Sequence, residues 1–228
     1  MNADDQKQAA GAAAAALVEP GMKVGLGTGS TAVWFVRALA ERRLERLRCV
    51  PTSEATAALA RELGLPLAEL DAVGTLDLTV DGADEVGPGL ALIKGAGGAL
   101  LREKLVWEAS ARCVCIADAS KRVLRLGAFT LPVEVVPFGA KSTVNRICDV
   151  LSEFEIGALP RLRSREGVPV RTDGGNLLYD VACGRIDDPA ALGAALKSLT
   201  GVVEHGLFLD LADEALIATD AGVERLTP

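Results

Sequence analysis

The sequence predicts the α/β fold class: a three-layer, mainly parallel sheet with a smaller α+β domain. Three observations carry this. Through the first half, short apolar β-branched runs alternate with helix-period runs, the order that builds a parallel sheet covered on both faces. After about Gly127 strands follow strands, as in an antiparallel sheet. The 228 residues suit a large domain carrying a small one, at roughly 100–200 residues per domain. The expected division is a Rossmann-like domain from residues 1–127 plus 205–228, and a small α+β domain, lid or oligomer interface, from 128–204.

The elements follow in order. "AAGAAAAALV" is apolar but follows Asp4 and Asp5 and never grows to an 18-residue span, so it is expected to be a helix packed on the domain. "MKVGL" reads as a strand and "STAVWFVRALAERR" as its helix; "RLRCVP" precedes "SEATAALARELG" in the same way. "TLDLTV" leads into an acidic turn, "LALIK" into "GAGG" and the helical "ALLREKLVWEAS", and "RCVCIAD" follows. Beyond Gly127, "TLPVEVVP", "LPRLRS", "VPVRT" and "NLLYDVA" read as strands, with "AKSTVNRICDVLSEF" and "PAALGAALKSLT" as helices. The tail "GLFLDLADEALIATDAG" returns to buried-strand character and is expected to rejoin the large domain. Ligands of parallel sheets gather beyond the carboxyl ends of the strands. Three loops are expected to converge there: Gly25–Thr31, Asp81–Glu85 and Lys94–Gly98.

Composition narrows the partners. Half the residues are apolar, only 4% are aromatic and the formal charge is −7, so nucleic acid is not an expected partner and any anionic ligand must be small and locally held. The five cysteines (Cys49, Cys113, Cys115, Cys148 and Cys183) show no C-x-x-C spacing, which argues against a disulfide framework or a zinc site. His205 is the only histidine and is read as structural; a histidine-dependent triad has no second candidate. A cytoplasmic protein with no membrane partner is expected.

Within "GLGTGST", glycines let backbone N–H groups approach an anion, and the helix that follows adds partial positive charge. The stretch lacks the spacing of a dinucleotide fingerprint and the lysine of a P-loop, which leaves a monophosphate cradle or a tight turn with Ser30 as N-cap. "DGADE" can aim Asp81 and Asp84 into one cavity, where they would hold sugar hydroxyls and crowding would raise one pKa; the alternatives are an ordinary solvated turn and a magnesium site, although Mg²⁺ usually works with a polyphosphate substrate for which the chain shows no loop. "KGAGG" places Lys94 as a cation beside glycines. Arg102, Glu103 and Lys104 can be the wet face of their helix, yet Glu103 lies close enough to the Lys94 loop to serve as a general base. Lys121 follows a strand end, and Lys7 is near enough to the N-terminus to fold over a phosphate.

With these residues assembled, the chain resembles the type A ribose-5-phosphate isomerase family. "GLGTGST", "TSEAT", "DGADE", "LIKGAGGALLREK", "ADASK", "LPVEVVPFG" and "TDGGN" occur in that order over nearly the whole length. The resemblance implies interconversion of D-ribose 5-phosphate and D-ribulose 5-phosphate without metal or organic cofactor, by a homodimer or homotetramer. It implies Glu103 as the base that moves a proton between C2 and C1, and contacts from Thr28, Gly29, Ser30 and Thr31 to the substrate and its phosphate. Asp81 and Asp84, with Gly82 and Ala83 between them, would hold hydroxyls and assist ring opening. Lys94, Gly95, Ala96 and Gly97 would stabilise the oxyanion, and Lys121 and Lys7 would bind substrate. One departure is "KGAGGAL", where the family often has three consecutive glycines: Ala96 disfavours a positive φ by roughly 1–2 kcal/mol, which the displaced Gly98 would have to offset. A coenzyme A transferase and a non-catalytic sugar-phosphate sensor are the alternatives carried forward.

Overall fold

The computed structural model describes residues 1–228. Its helices are α1 (Ala3–Ala15), α2 (Ala32–Glu41), α3 (Glu54–Glu62), α4 (Leu70–Val73), α5 (Leu100–Glu108), α6 (Ala140–Glu153) and α7 (Pro189–Lys197). Its strands are β1 (Lys23–Leu26), β2 (Arg48–Pro51), β3 (Leu78–Gly82), β4 (Glu85–Val86), β5 (Leu92–Ile93), β6 (Cys113–Asp118), β7 (Leu131–Val135) and β8 (Arg161–Leu162). They continue with β9 (Ser164–Arg165), β10 (Val168–Pro169), β11 (Leu177–Val181), β12 (Val202–His205), β13 (Leu207–Phe208), β14 (Glu214–Thr219) and β15 (Gly222–Leu226).

The central sheet runs β15-β14-β6-β3-β1-β2 and is parallel except for the β14–β15 hairpin at its edge. Side chains alternate across a strand, and here the alternation sorts the core into two layers. Val114, Ile116, Leu216 and Ala218 pack with Ala10 and Ala14 of α1 and Phe35 and Leu39 of α2. Their neighbours Cys113, Cys115, Ala117, Ala215 and Ile217 pack on the other side with Leu100 and Trp107 of α5. This is the three-layer arrangement that the β-then-α order predicts. The alanine-rich N-terminal run is α1, opened by a capping box between Asn2 and Asp5 and buried along Ala10, Gly11, Ala14 and Ala15. No helix is long and apolar enough to cross a membrane.

The second half forms an antiparallel sheet, β12-β7-β11-β8, covered by α6 and α7 through Ile147, Val150, Leu192 and Leu196. The tail rejoins the central sheet as β14, parallel to β6.

The structure departs from the expectation at β5, β12 and β15, and agrees with it on the cysteines. "LALIK" does not supply a parallel strand: β5 lies in a separate antiparallel sheet, β13-β5-β4, whose Val86, Leu92 and Phe208 pack over Cys115 and Ala117. The Lys94 loop therefore reaches the site by a hairpin folding back over the sheet, closed by Asp84 N–H donating to Ile93 O at 2.8 Å. β12 and β15 escape the apolar pattern. Glu204 and His205 are buried with polar partners, and β15 is an exposed edge strand. The cysteines are free, and burial pushes the Cys49, Cys113 and Cys115 thiols up to about 12.

Candidate active site

The site begins where β1 ends. A Cβ on Gly27 would lie 2.3 Å from the Asp81 carboxyl carbon, so only glycine lets the two backbones approach this closely. That approach allows Thr28 N–H to donate to Asp81 Oδ1 at 3.0 Å. The Thr28 hydroxyl sits among those of Thr52 (2.7 Å), Ser53 (2.8 Å) and Thr56 (3.0 Å), and Thr56 donates to Gly27 O at 2.9 Å. The "TSEAT" segment is thus the scaffold of the glycine loop. Sequence reasoning gave Thr52, Ser53 and Thr56 no role, although the string itself was the signal.

Past Thr28, Gly29 turns the chain at φ 116° and α2 starts. The N–H groups of Gly29, Ser30 and Thr31 donate to no protein acceptor, so three donors and a helix N-terminus face one space. Ser30 is not the N-cap; Thr31 is, and it makes no side-chain cap bond. The free donors favour an anion cradle over a self-satisfied turn.

The three carboxylates of "DGADE" separate. Asp81 is not in the turn but within β3, fully buried, and accepts from the N–H groups of Thr28 and Gly82 (3.0 and 2.7 Å). It lies beneath the cavity, so the expectation that both aspartates point into it is corrected for Asp81. Asp84 does line the cavity and accepts from Ala96 N–H at 2.9 Å. Glu85 turns inward, accepting from the N–H groups of Gly127 (2.7 Å) and Phe129 (2.6 Å).

Lys94, 2% exposed, is ringed by oxygens: Gly82 O at 2.5 Å, Asp81 Oδ2 at 3.0 Å and Glu103 Oε2 at 3.4 Å. The Trp107 and Phe208 rings lie 5.6 and 5.4 Å from its ammonium. Ala96 needs no positive φ, because Gly95 (117°) and Gly98 (80°) adopt the left-handed conformations of this loop. Ala96 N–H is taken by Asp84, which leaves Gly95 and Gly97 as the loop's unpaired donors.

Glu103 lies in the first turn of α5. The inward stripe of that helix is Leu100, Glu103, Lys104 and Trp107, at helical spacing, while Arg102 faces outward to Glu54 and Asp173. The wet-face alternative for Glu103 and Lys104 is therefore wrong. Lys104 is buried against Glu204 Oε1 (2.7 Å), His205 O (3.0 Å) and Leu207 O (2.9 Å). His205 is structural: its Nδ1 accepts from Leu207 N–H at 3.2 Å, and burial pulls its pKa down to about 4.

A cavity of about 200 Å³ is lined by Thr28–Thr31, Gly82–Asp84, Lys94–Gly97, Glu103 and Lys121. Lys121 ends the turn after β6, its ammonium 5.9 Å from the Phe129 ring. Lys7 is not among the lining residues; its amine pairs with Asp4 at 3.2 Å on α1.

The buried charges do not balance, since Lys94 sits between two carboxylates. Burial opposes charge on Lys94, but Asp81 and Glu103 outweigh it and hold the ammonium above the ordinary lysine range. Burial also raises the Asp81 carboxyl, opposed by Lys94 and by the two N–H donors. Glu103 has no such donors, and its Oε2 faces Lys94 without hydrogen-bond geometry. Burial, then the Asp81 charge, push its pKa up to about 8. Without such donors, Glu103 is the carboxyl of this cluster poised to exchange a proton near neutral pH.

The ribose 5-phosphate isomerase A (phosphoriboisomerase A) family model matches residues 48–222. Ribose-5-phosphate isomerase A of Caulobacter vibrioides is 69% identical over the full length of both chains. That of Parvibaculum lavamentivorans is 53% identical over 98% of each. A solved D-ribose-5-phosphate isomerase in complex with phospho-erythronic acid superposes with TM-score 0.93 at 38% identity, covering 100% of both chains. The isomerase A structure of Methanocaldococcus jannaschii gives 0.89 at 39% identity over 99% of each. With the family model matching residues 48–222, a relative 69% identical over the full length of both chains and the fold shared with solved members, this protein belongs to the ribose-5-phosphate isomerase A family.

Proposed function

We propose that Glu103 is the general base with which this isomerase interconverts D-ribose 5-phosphate and D-ribulose 5-phosphate, a reaction of the non-oxidative pentose phosphate pathway. The observation that carries the assignment is a cavity-lining carboxylate, 3% exposed, with its pKa lifted to about 8 beside a buried lysine. Ionised Glu103 takes the C2 proton of the open-chain aldose. The C–H electrons form the C1=C2 bond and the carbonyl electrons move to O1, giving an enediolate. Return of the proton to C1, with transfer of the O2 proton, gives the ketose. The reaction is redox-neutral overall, and with Glu103 as base and Lys94 as the cation beside the developing oxyanion it is written here without metal or organic cofactor.

The other residues fit around that step. The unpaired N–H groups of Gly29, Ser30 and Thr31, with Lys121, form the phosphate subsite. Lys94 and the Gly95 and Gly97 N–H groups offset charge developing on the enediolate oxygen. Asp84 binds hydroxyls and assists ring opening; Asp81 acts beneath it, holding Lys94 and Thr28. Phospho-erythronic acid, named with the related solved structure, supports this reading: it joins a phosphate to a carboxylate that imitates the enediolate charge. Exposed Phe138, Leu159 and Val168 on the small unit support a homodimer or homotetramer, and the separate sheets and cores support division into 1–127 plus 205–228 and 128–204. A cytoplasmic protein that binds no nucleic acid completes the reading.

The pH dependence of kcat/KM tests the base. A group with a free-enzyme pKa of about 8 is active when ionised, so kcat/KM is expected to rise tenfold per pH unit below 8 and level off above it. The substrate phosphate, with a second pKa of about 6, is mostly a dianion over the upper part of that limb, from about pH 7 to 8, which is where the slope is read. A limb at the ordinary glutamate value of about 4.3 would refute the assignment.

A further inference from the structure

We propose that Arg163 is a positioning residue for the reaction, aiming the Gly97 N–H and the Asp84 carboxylate at the substrate; this rests on the isomerase reading above. Arg163 follows β8 in the antiparallel sheet, and its side chain is 16% exposed. Asp180 of β11 grips the guanidinium as a fork, with Nε donating at 2.8 Å and Nη2 at 2.5 Å. The remaining nitrogen leaves the sheet: Nη1 donates to Gly95 O at 2.8 Å and Ala96 O at 3.0 Å.

Those two carbonyls set two peptide planes. In a trans peptide the C=O and the following N–H point in opposite directions, and every peptide here is trans. Fixing Gly95 C=O therefore aims Ala96 N–H away from Arg163, where it donates to Asp84 Oδ2 at 2.9 Å. Fixing Ala96 C=O likewise aims Gly97 N–H away from Arg163, on the side where Gly97 lines the cavity and where that N–H meets no protein acceptor. One guanidinium thus orients a substrate-binding carboxylate and a free donor.

The loop needs such a tie. With glycine at 95, 97 and 98 it has little conformational preference of its own, and an unanchored run of this kind would sample many peptide orientations. Arginine suits the task because its planar fork serves Asp180 and the loop together, whereas lysine offers a point charge on a flexible stem. The geometry gives the "LPRLRS" and "NLLYDVA" strands a part in the chemistry: they carry the clamp.

The test uses the full-length protein with R163M, R163K and D180N. R163M is expected to lower kcat by roughly 10–100-fold, the scale of a misaimed donor. Inorganic phosphate should bind within about twofold of the parent, because its cradle on α2 is untouched. Affinity for phospho-erythronic acid should fall in step with kcat, R163K should recover part of the loss, and D180N should lose less than R163M. The acidic limb near 8 should persist in every variant, since Glu103 does not touch Arg163; a displaced limb already in the parent protein would indict the base assignment, not the clamp. A kcat within twofold of the parent in R163M would overturn the proposal, as would equal losses of phosphate affinity and kcat. If R163M does not fold, R163K and D180N decide: parental kcat in both overturns it, and graded losses with phosphate binding intact support it.

Discussion

Replacing Glu103 by glutamine is expected to lower kcat by roughly 10²–10⁴-fold, the usual worth of a positioned general base, while KM changes by no more than about threefold. The amide keeps the shape of the side chain and removes its ability to take a proton, so the loss falls on the chemical step. A second consequence concerns stability. Glu103 has its folded pKa raised from 4.5 to about 8, so the native state binds the proton more tightly than the unfolded chain. Its contribution to stability is present at low pH and is lost as pH rises through that window. Glutamine does not titrate. The melting temperature of E103Q relative to the parent protein is therefore expected to climb between pH 4.5 and 8, and calorimetry across that range checks it. A difference independent of pH would mean that Glu103 titrates normally.

Replacing Lys94 by methionine is expected to have the larger effect on the fold. Lys94 and Asp81 are 2% and 0% exposed and 3.0 Å apart, and removing one partner of such a buried pair costs about 3–5 kcal/mol because the other charge is left unpaired. For a chain of this size that is a fall of roughly 6–20 °C in Tm. Turnover should drop by roughly 10²–10³-fold with loss of the cation at the enediolate oxygen. The double variant K94M/D81N separates the two effects. It removes the orphan charge, so it should recover most of the lost Tm without recovering turnover. Recovery of turnover in the double variant would show that Lys94 acts only by holding the fold.

The sequence displayed the fold wherever apolar periodicity was strong. β6, β14 and their helices follow from alternation and from the β-then-α order, and the switch to an antiparallel sheet follows from the run of strands after Gly127. The pattern fails where polar groups are satisfied inside. Glu204 and His205 break the apolar alternation of β12, and the charged Glu103 and Lys104 occupy the inward stripe of α5, so that stripe does not look apolar. β5 misleads in a different way: two apolar residues before Lys94 suit a parallel strand as well as the hairpin observed.

The site was legible in its loops, since Thr28–Thr31, Gly82–Asp84, Lys94–Gly97, Glu103 and Lys121 do meet at one cavity. What sequence spacing does not give is depth. Asp81 and Asp84 lie three residues apart, yet one is buried within a strand beneath the cavity and the other lines it. Nor does spacing reveal long-range ties such as Arg163 to the Gly95 carbonyl, 68 residues away, or Asp173 to Glu54 N–H, 119 residues away. Lys7, matched only by position near the N-terminus, lies on α1 paired with Asp4.

The most direct test of the central claim, proton transfer by Glu103 through an enediolate, follows ribose 5-phosphate by NMR in D₂O over many turnovers with the parent protein and E103Q. Ribulose 5-phosphate carrying solvent deuterium at C1 is expected with the parent protein, and neither conversion nor label on the same timescale with E103Q. Ribulose 5-phosphate that stays free of deuterium through repeated turnover, or labelled product formed by E103Q at the parental rate, would contradict it.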